Sequence, residues 1–190
     1  MGENLTKLPE DLPPPKDDGL CDHLLGKIIP SITLQSSVRD SLDISNVKGK
    51  FVILYFFPMM VIPGKNLPTN WNDIPGARGC TPQNITINEH RKDLQKYDAE
   101  SIGISTQSIE ELIELTSLRK LSQPLISDSK LQFKEKLNIP TFDVENKIMY
   151  KRLTLIIQES KIIKVFYPVF PPDKHIFEIL EWFENNSKNE

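Results

Sequence analysis

The most apolar stretch of the chain, residues 51–57, reads FVILYFF, rich in aromatic and β-branched side chains and preceded by the turn-like Lys48-Gly49-Lys50. A short continuous apolar run of this kind predicts a central strand covered on both faces. Residues 101–105 (SIGIS) and 153–157 (LTLII) predict partner strands, and 161–167 (KIIKVFY) follows the second of these across the polar turn 158–160, as a hairpin would. Helical signals fall between the strands. Ser108 and Glu111 have capping-box spacing, with Leu112, Leu115, Leu118 and Leu121 near one face. Asp128 predicts the start of a helix carrying Leu131, Phe133 and Leu137, and Asp173 the start of one carrying Ile176, Phe177, Leu180 and Phe183. Strands and helices thus interleave, which predicts a single α/β domain with helices flanking a sheet.

Residues 1–17 differ in kind, being polar and ending near Pro13-Pro14-Pro15, so an extended N-terminal arm is expected there and the domain over 18–186. At 190 residues such a domain buries roughly 70% of its unfolded surface without metal or disulfide staples. The formal charge of −3 argues against nucleic acid, which asks for a basic face. The longest apolar stretch, 51–63, is broken by Pro58 and is too short to span a bilayer, so no membrane partner is expected. The first residues lack the basic and apolar regions of an export signal, which points to a cytoplasmic location. Met1-Gly2-Glu3-Asn4-Leu5-Thr6 fits the loose pattern for myristoylation at Gly2, and is read as a chance match.

Chemistry concentrates after the central strand. Residues 58–79 hold four prolines and three of the eight glycines. Loops of this length inside a compact domain are usually functional or disordered, and this one leads directly to Cys80. Thr81 is a good N-cap and Pro82 suits a first helical position, so a helix is expected over about 82–97, with Cys80 at its start. Backbone N–H groups and the helix dipole favour negative charge there, and Arg78 adds a full positive charge two residues away. The consequence is large, because a thiol whose pKa falls from ~8.5 to ~6 goes from about 3% to about 90% ionised at pH 7. Gly79 leaves room beside the sulfur and lets the backbone turn sharply. Such neighbours favour a reactive Cys80 over an inert buried one.

Four segments resemble the peroxiredoxins, in particular the bacterioferritin-comigratory or Q-type branch. These are Tyr55-Phe56-Phe57-Pro58, Gly79-Cys80-Thr81-Pro82-Gln83, Pro124-Leu125-Ile126-Ser127-Asp128 and Arg152-Leu153-Thr154-Leu155-Ile156, in family order over about 18–183. The resemblance implies a thioredoxin-like fold, an α/β architecture with a central mixed sheet flanked by helices. It implies that Cys80 is the peroxidatic cysteine, whose thiolate attacks a peroxide O–O bond and becomes a sulfenic acid. It also implies that Arg152 reaches the same pocket, where a fixed charge with several donors suits a thiolate and a departing oxygen. Arg78 and Thr81 are candidate assistants. No cofactor or metal is implied. The partners implied are hydrogen peroxide or an organic hydroperoxide and a thiol reductant (thioredoxin, glutaredoxin or glutathione), with the chain a monomer or a homodimer.

Two departures from the family pattern stand out. In Pro-x-x-x-Thr-x-x-Cys the threonine position is here Ala77 and the proline position Asp73, so the peroxide-orienting hydroxyl is missing from its usual place and that part of the pocket is expected to be rebuilt by Pro75, Gly76 and Arg78, or by a different hydroxyl such as Thr81. The resolving cysteine that many Q-type members carry five residues on is here Ile85. A one-cysteine enzyme is therefore expected, with Cys21, flanked by Asp18 and Asp22, read as structural. Two other readings remain: a thiol-disulfide oxidoreductase, which the absence of Cys-x-x-Cys disfavours, and a non-catalytic redox sensor or binding module. His23, His90 and His175 lack metal-ligand spacing and are read as lone surface histidines. Trp71 and the stretch 165–172 are read as packing residues.

Overall fold

The computed structural model describes residues 5–186, so the Gly2 pattern lies outside the described part. Nine strands and five α-helices are seen among these residues: β1 (Thr33–Ser36), β2 (Arg39–Asp43), β3 (Phe51–Phe56), α1 (Cys80–Glu89), α2 (Arg91–Gln95), β4 (Ala99–Ser105), α3 (Ile109–Arg119), β5 (Leu125–Ser127), α4 (Gln132–Leu137), β6 (Thr141–Val144), β7 (Lys147–Tyr150), β8 (Leu153–Gln158), β9 (Lys161–Phe166) and α5 (His175–Asn186). Seven strands form one mixed sheet in the order β2-β1-β5-β4-β3-β8-β9, and β6-β7 stands apart as a hairpin. The FVILYFF run is a central strand, parallel to β4 and antiparallel to β8. None of the helices is long and apolar enough to cross a membrane.

Alternation along β3 sends its side chains into two cores. Leu54 and Phe56 pack with Cys21, Ile104, Phe133, Leu137 and Leu155 on one face, whereas Ile53 and Tyr55 pack with Cys80, Ile87, Leu112, Leu115, Ile176 and Phe183 on the other. The two cysteines therefore belong to cores on opposite sides of the sheet. The long loop is ordered around a third, smaller core, in which Trp71 and Ala77 pack against Val144 and Met149 of the hairpin. Trp71 is a packing residue, buried at 3% exposure with its ring 6.3 Å from that of Phe142.

Several expected details differ. The predicted 82–97 helix is two: α1 starts at Cys80 and stops at His90, whose ring and backbone N–H both bond the Thr86 carbonyl, and α2 follows. Thr81 lies inside α1 and is not its cap, since Gly79 holds that position. Ser108 does cap α3, accepting a bond from Glu111 N. Leu118, however, is 52% exposed while Leu112 and Leu115 are buried, because a strict three-residue spacing drifts about 60° per step around a 3.6-residue helix. Asp128 accepts bonds from the N–H groups of Gln132 and Phe133 and so does start α4. Asp173 does not act as foreseen: its Oδ1 has no partner. Phe177 of α5 points out to stand edge-on to His90.

Candidate active site

The left-handed turn at Gly79 (φ 100°, ψ 14°) sets the direction of α1. Its carbonyl accepts the first helical bond, from Gln83 N at 3.1 Å. Cys80, Thr81 and Pro82 are then the first three helical residues, whose N–H groups have no partner within the helix, so the missing N–H of Pro82 costs nothing. Cys80 is 2% exposed.

Two antiparallel neighbours bring donors to its sulfur. Phe56 at the end of β3 pairs with Leu153 at the start of β8, which places the chain just after β3 beside the chain just before β8. From the first comes the Met59 N–H, 3.4 Å from Sγ, and from the second Arg152, whose Nη2 donates to Sγ at 3.0 Å. The Cys80 thiol also faces the Ala77 carbonyl at 3.5 Å.

Arg152 is buried and held on every edge of its guanidinium. Nε donates to the Gly76 carbonyl, Nη1 to Gln83 Oε1, and Nη2 to the carbonyls of Ala77 and Arg78 as well as to the sulfur. The loop ending at Gly79 thus wraps the planar fork with main-chain oxygens, and Gln83, one turn along α1 from Cys80, closes the fourth side. A fixed cation with this geometry stabilises negative charge on sulfur, and charge-assisted bonds are about twice as strong as neutral ones.

The helix is anchored beneath the sulfur. Asn84 Nδ2 donates to the Cys80 carbonyl at 2.9 Å, Tyr55 donates its hydroxyl to Asn84 Oδ1 at 2.8 Å, and Gln123 Nε2 donates to the Asn84 carbonyl. Burial pushes the Tyr55 hydroxyl far above the usual phenol range, so it stays a neutral donor. The tyrosine ring fits because Gly103 on β4 has no side chain: a Cβ there would lie 2.7 Å from Tyr55 Cζ.

A family model described as Redoxin matches residues 24–180. The chain belongs to the redoxin family. It is a peroxiredoxin of thioredoxin fold. A chloroplastic peroxiredoxin Q of Triticum aestivum is 24% identical over 160 residues, covering 84% of this chain and 66% of the relative. The peroxiredoxin Bcp of Escherichia coli K12 is 24% identical over 170 residues, covering 85% and 96%. Among solved structures, peroxidoxin BcpB from Mycobacterium tuberculosis superposes with a TM-score of 0.68 at 21% identity, covering 85% of this chain and 97% of that one.

In this peroxiredoxin Cys80 and Arg152 are in direct contact. Thr81 is the next helical residue after Cys80, and the buried Arg78 gives its carbonyl to Arg152. Sequence reasoning missed Gln83 as a site residue, although its i+3 spacing from Cys80 puts it on the same helix face. It also missed the main-chain groups of Met59 and Ala77, which carry no residue-type signal, whereas Gly76, expected in the pocket, gives its carbonyl to Arg152. Ala77, where the family has threonine, is fully buried and offers the site its carbonyl.

His175 is not a surface histidine. It is completely buried at the start of α5, with Nε2 2.8 Å from Thr154 Oγ1 and Nδ1 2.8 Å from Glu178 Oε2. Burial lowers its pKa, Arg152 adds to the effect, and Glu178 opposes both. A neutral ring facing a carboxylate carries its proton on Nδ1, so Nε2 accepts from Thr154. Burial, then the charges of Asp18, Asp17 and Asp22, push the Cys21 thiol up to about 12. Groups of three or more His, Cys, Asp or Glu able to hold a metal do not occur among the described residues.

Proposed function

We propose that Cys80 is the peroxidatic residue and Arg152 its electrostatic partner, acting on hydrogen peroxide or small organic hydroperoxides. The chain is a thiol-dependent peroxidase. The observation that carries the residue assignment is the 3.0 Å bond from Arg152 Nη2 to Cys80 Sγ at the first residue of α1. The sulfur attacks the near oxygen of the peroxide, an S–O bond forms as the O–O bond breaks, and the peroxide is reduced by two electrons. Cys80 becomes a sulfenic acid and the departing oxygen leaves as water or alcohol after taking a proton. Arg152 stabilises the anionic sulfur first and the charge developing on the leaving oxygen next. Gln83 and the carbonyls of residues 76–78 hold the guanidinium in place, while Arg78 and Thr81 shape the loop and the first turn.

Reduction is by an external thiol, of thioredoxin, glutaredoxin or glutathione type. The thiol condenses with the sulfenic acid, releasing water, and a second thiol breaks the mixed disulfide. Ile85 stands where a local resolving cysteine would be, and Cys21 belongs to the core on the far side of the sheet with its thiol held protonated, which supports a one-cysteine enzyme. Both cysteines are free thiols, in keeping with a reducing, cytoplasmic setting. The test is peroxide consumption with an added dithiol. Cys21→Ser is expected to turn over and Cys80→Ser to be inactive. Loss of turnover in Cys21→Ser with the first oxidation intact would overturn the one-cysteine reading.

A further inference from the structure

The two glycines that bound the loop segment around Arg152 are roofed by a distant part of the chain. A Cβ on Gly79 would lie 2.6 Å from Cδ1 of Leu8 and 2.4 Å from Cγ of Pro172, and one on Gly76 would lie 3.5 Å from Cβ and Cγ of Pro15. Leu8 and Pro15 thus rest almost on the backbone of the active-site loop. Pro15 also lines a cavity of about 260 Å³ with Ile74, Pro75 and Phe142, and Arg152, which bonds the sulfur, forms part of the same lining. Just beyond, Asp18 ties the arm down: its carboxylate pairs with Lys151 at 2.5 Å, next to Arg152, and accepts the Tyr167 hydroxyl at 2.7 Å. Cys80 is only 2% exposed and does not itself line this cavity, but Arg152, which does, touches its sulfur.

We propose that Leu8 and Pro15 are specificity-determining residues: oxidants reach Cys80 through this cavity past Arg152, and the arm, with Pro15 in the cavity lining and Leu8 against Gly79, walls that approach and selects them by size, passing small peroxides and holding back bulky ones. The inference rests on the reading of Cys80 as the reactive thiol. It does not require a conformational switch, only a wall whose apolar contacts and Asp18 tether keep it closed.

The experiment compares thiol loss in the full chain and in the double variant Leu8→Ala/Pro15→Ala, using hydrogen peroxide and cumene hydroperoxide, and, as a measure independent of peroxide chemistry, iodoacetamide and N-(1-pyrenyl)maleimide. The bulky-to-small rate ratio is expected to rise about tenfold for both pairs of reagents, the scale on which an apolar pocket discriminates by size. Asp18→Asn, which loosens the tether at an exposed position, is expected to shift the ratios in the same direction and serves if the double variant does not fold. Unchanged ratios, or equal changes in the small and bulky rates, would overturn the wall. A raised alkylation ratio in a protein whose Cys80 ignores both peroxides would uphold the wall while refuting the peroxidase reading.

Discussion

Replacing Arg152 with lysine keeps a positive charge but removes the planar fork. The arginine donates to Gly76, Ala77, Arg78, Gln83 and the sulfur of Cys80. An ammonium group has three N–H bonds, so it cannot serve these five acceptors at once, and a single charge centre cannot reach opposite edges of the site. The carbonyls and Gln83 compete with the sulfur for whatever donors remain. Losing one hydrogen bond to a charged group costs about 1.5–3 kcal/mol. At about 1.4 kcal/mol per factor of ten, Arg152→Lys should therefore lower the second-order rate of Cys80 oxidation by roughly 10- to 150-fold. The assay is quenched-flow thiol titration against hydrogen peroxide at neutral pH, with melting temperature measured on the same samples. Iodoacetamide separates the two duties of the guanidinium, because alkylation needs the thiolate but develops no charge on a departing oxygen. The peroxide rate should fall further than the alkylation rate. A folded Arg152→Lys protein oxidised within about twofold of the wild-type rate would refute the reasoning.

Three further outcomes follow from the same geometry. Gly79→Ala must place a side chain at φ 100° against Leu8 and Pro172, a left-handed strain of about 1–2 kcal/mol before any clash, so calorimetry should find a melting temperature lower by at least about 2–8 °C. His175 is held neutral by burial, its folded pKa lying below the 6.5 of the exposed side chain. Above that pH both states are neutral and nothing is gained or lost; below it the unfolded chain binds the extra proton, so stability falls as pH drops from 6.5 toward the folded value. Urea unfolding at about pH 7.5 and 5.5 should show this loss, and His175→Gln should shrink it. With the Cys21 thiol pushed up to about 12, iodoacetamide near pH 8 should label Cys80 and leave Cys21 unmodified, as peptide mass spectrometry would read.

The legible parts of this protein were those written in side-chain type. FVILYFF had to be a doubly covered strand, and the hairpin of β8 and β9 announced itself through two apolar runs and a polar turn. β1 and β2 escape the sequence because each is short and carries a single apolar residue, Leu34 or Leu42, too few to show a period of two. The β6-β7 hairpin turns on Glu145 and Asn146, both at positive φ, with no glycine to mark the turn. At the site, Cys80 could be picked out from its neighbours and Arg152 only through the family resemblance, and their meeting depends on β3 and β8 being antiparallel neighbours, a long-range pairing that no local pattern encodes. The N-cap was misplaced by two residues because Thr81-Pro82 is a strong start signal by composition, whereas the left-handed turn at Gly79 starts the helix earlier. His175 was misread because a buried histidine is recognisable only through its partners Thr154 and Glu178, and Thr154 lies 21 positions away in sequence.

The most direct test is to treat the reduced protein with a slight excess of hydrogen peroxide in the presence of dimedone, which traps sulfenic acids, and to map the adduct by peptide mass spectrometry. A single adduct on the Cys80 peptide, lost in Cys80→Ser and strongly diminished in Arg152→Lys, is the predicted result. An adduct on Cys21 instead, or a Cys80 left unmodified while the fold remains intact, would contradict the assignment of Cys80 as the thiol that meets peroxide.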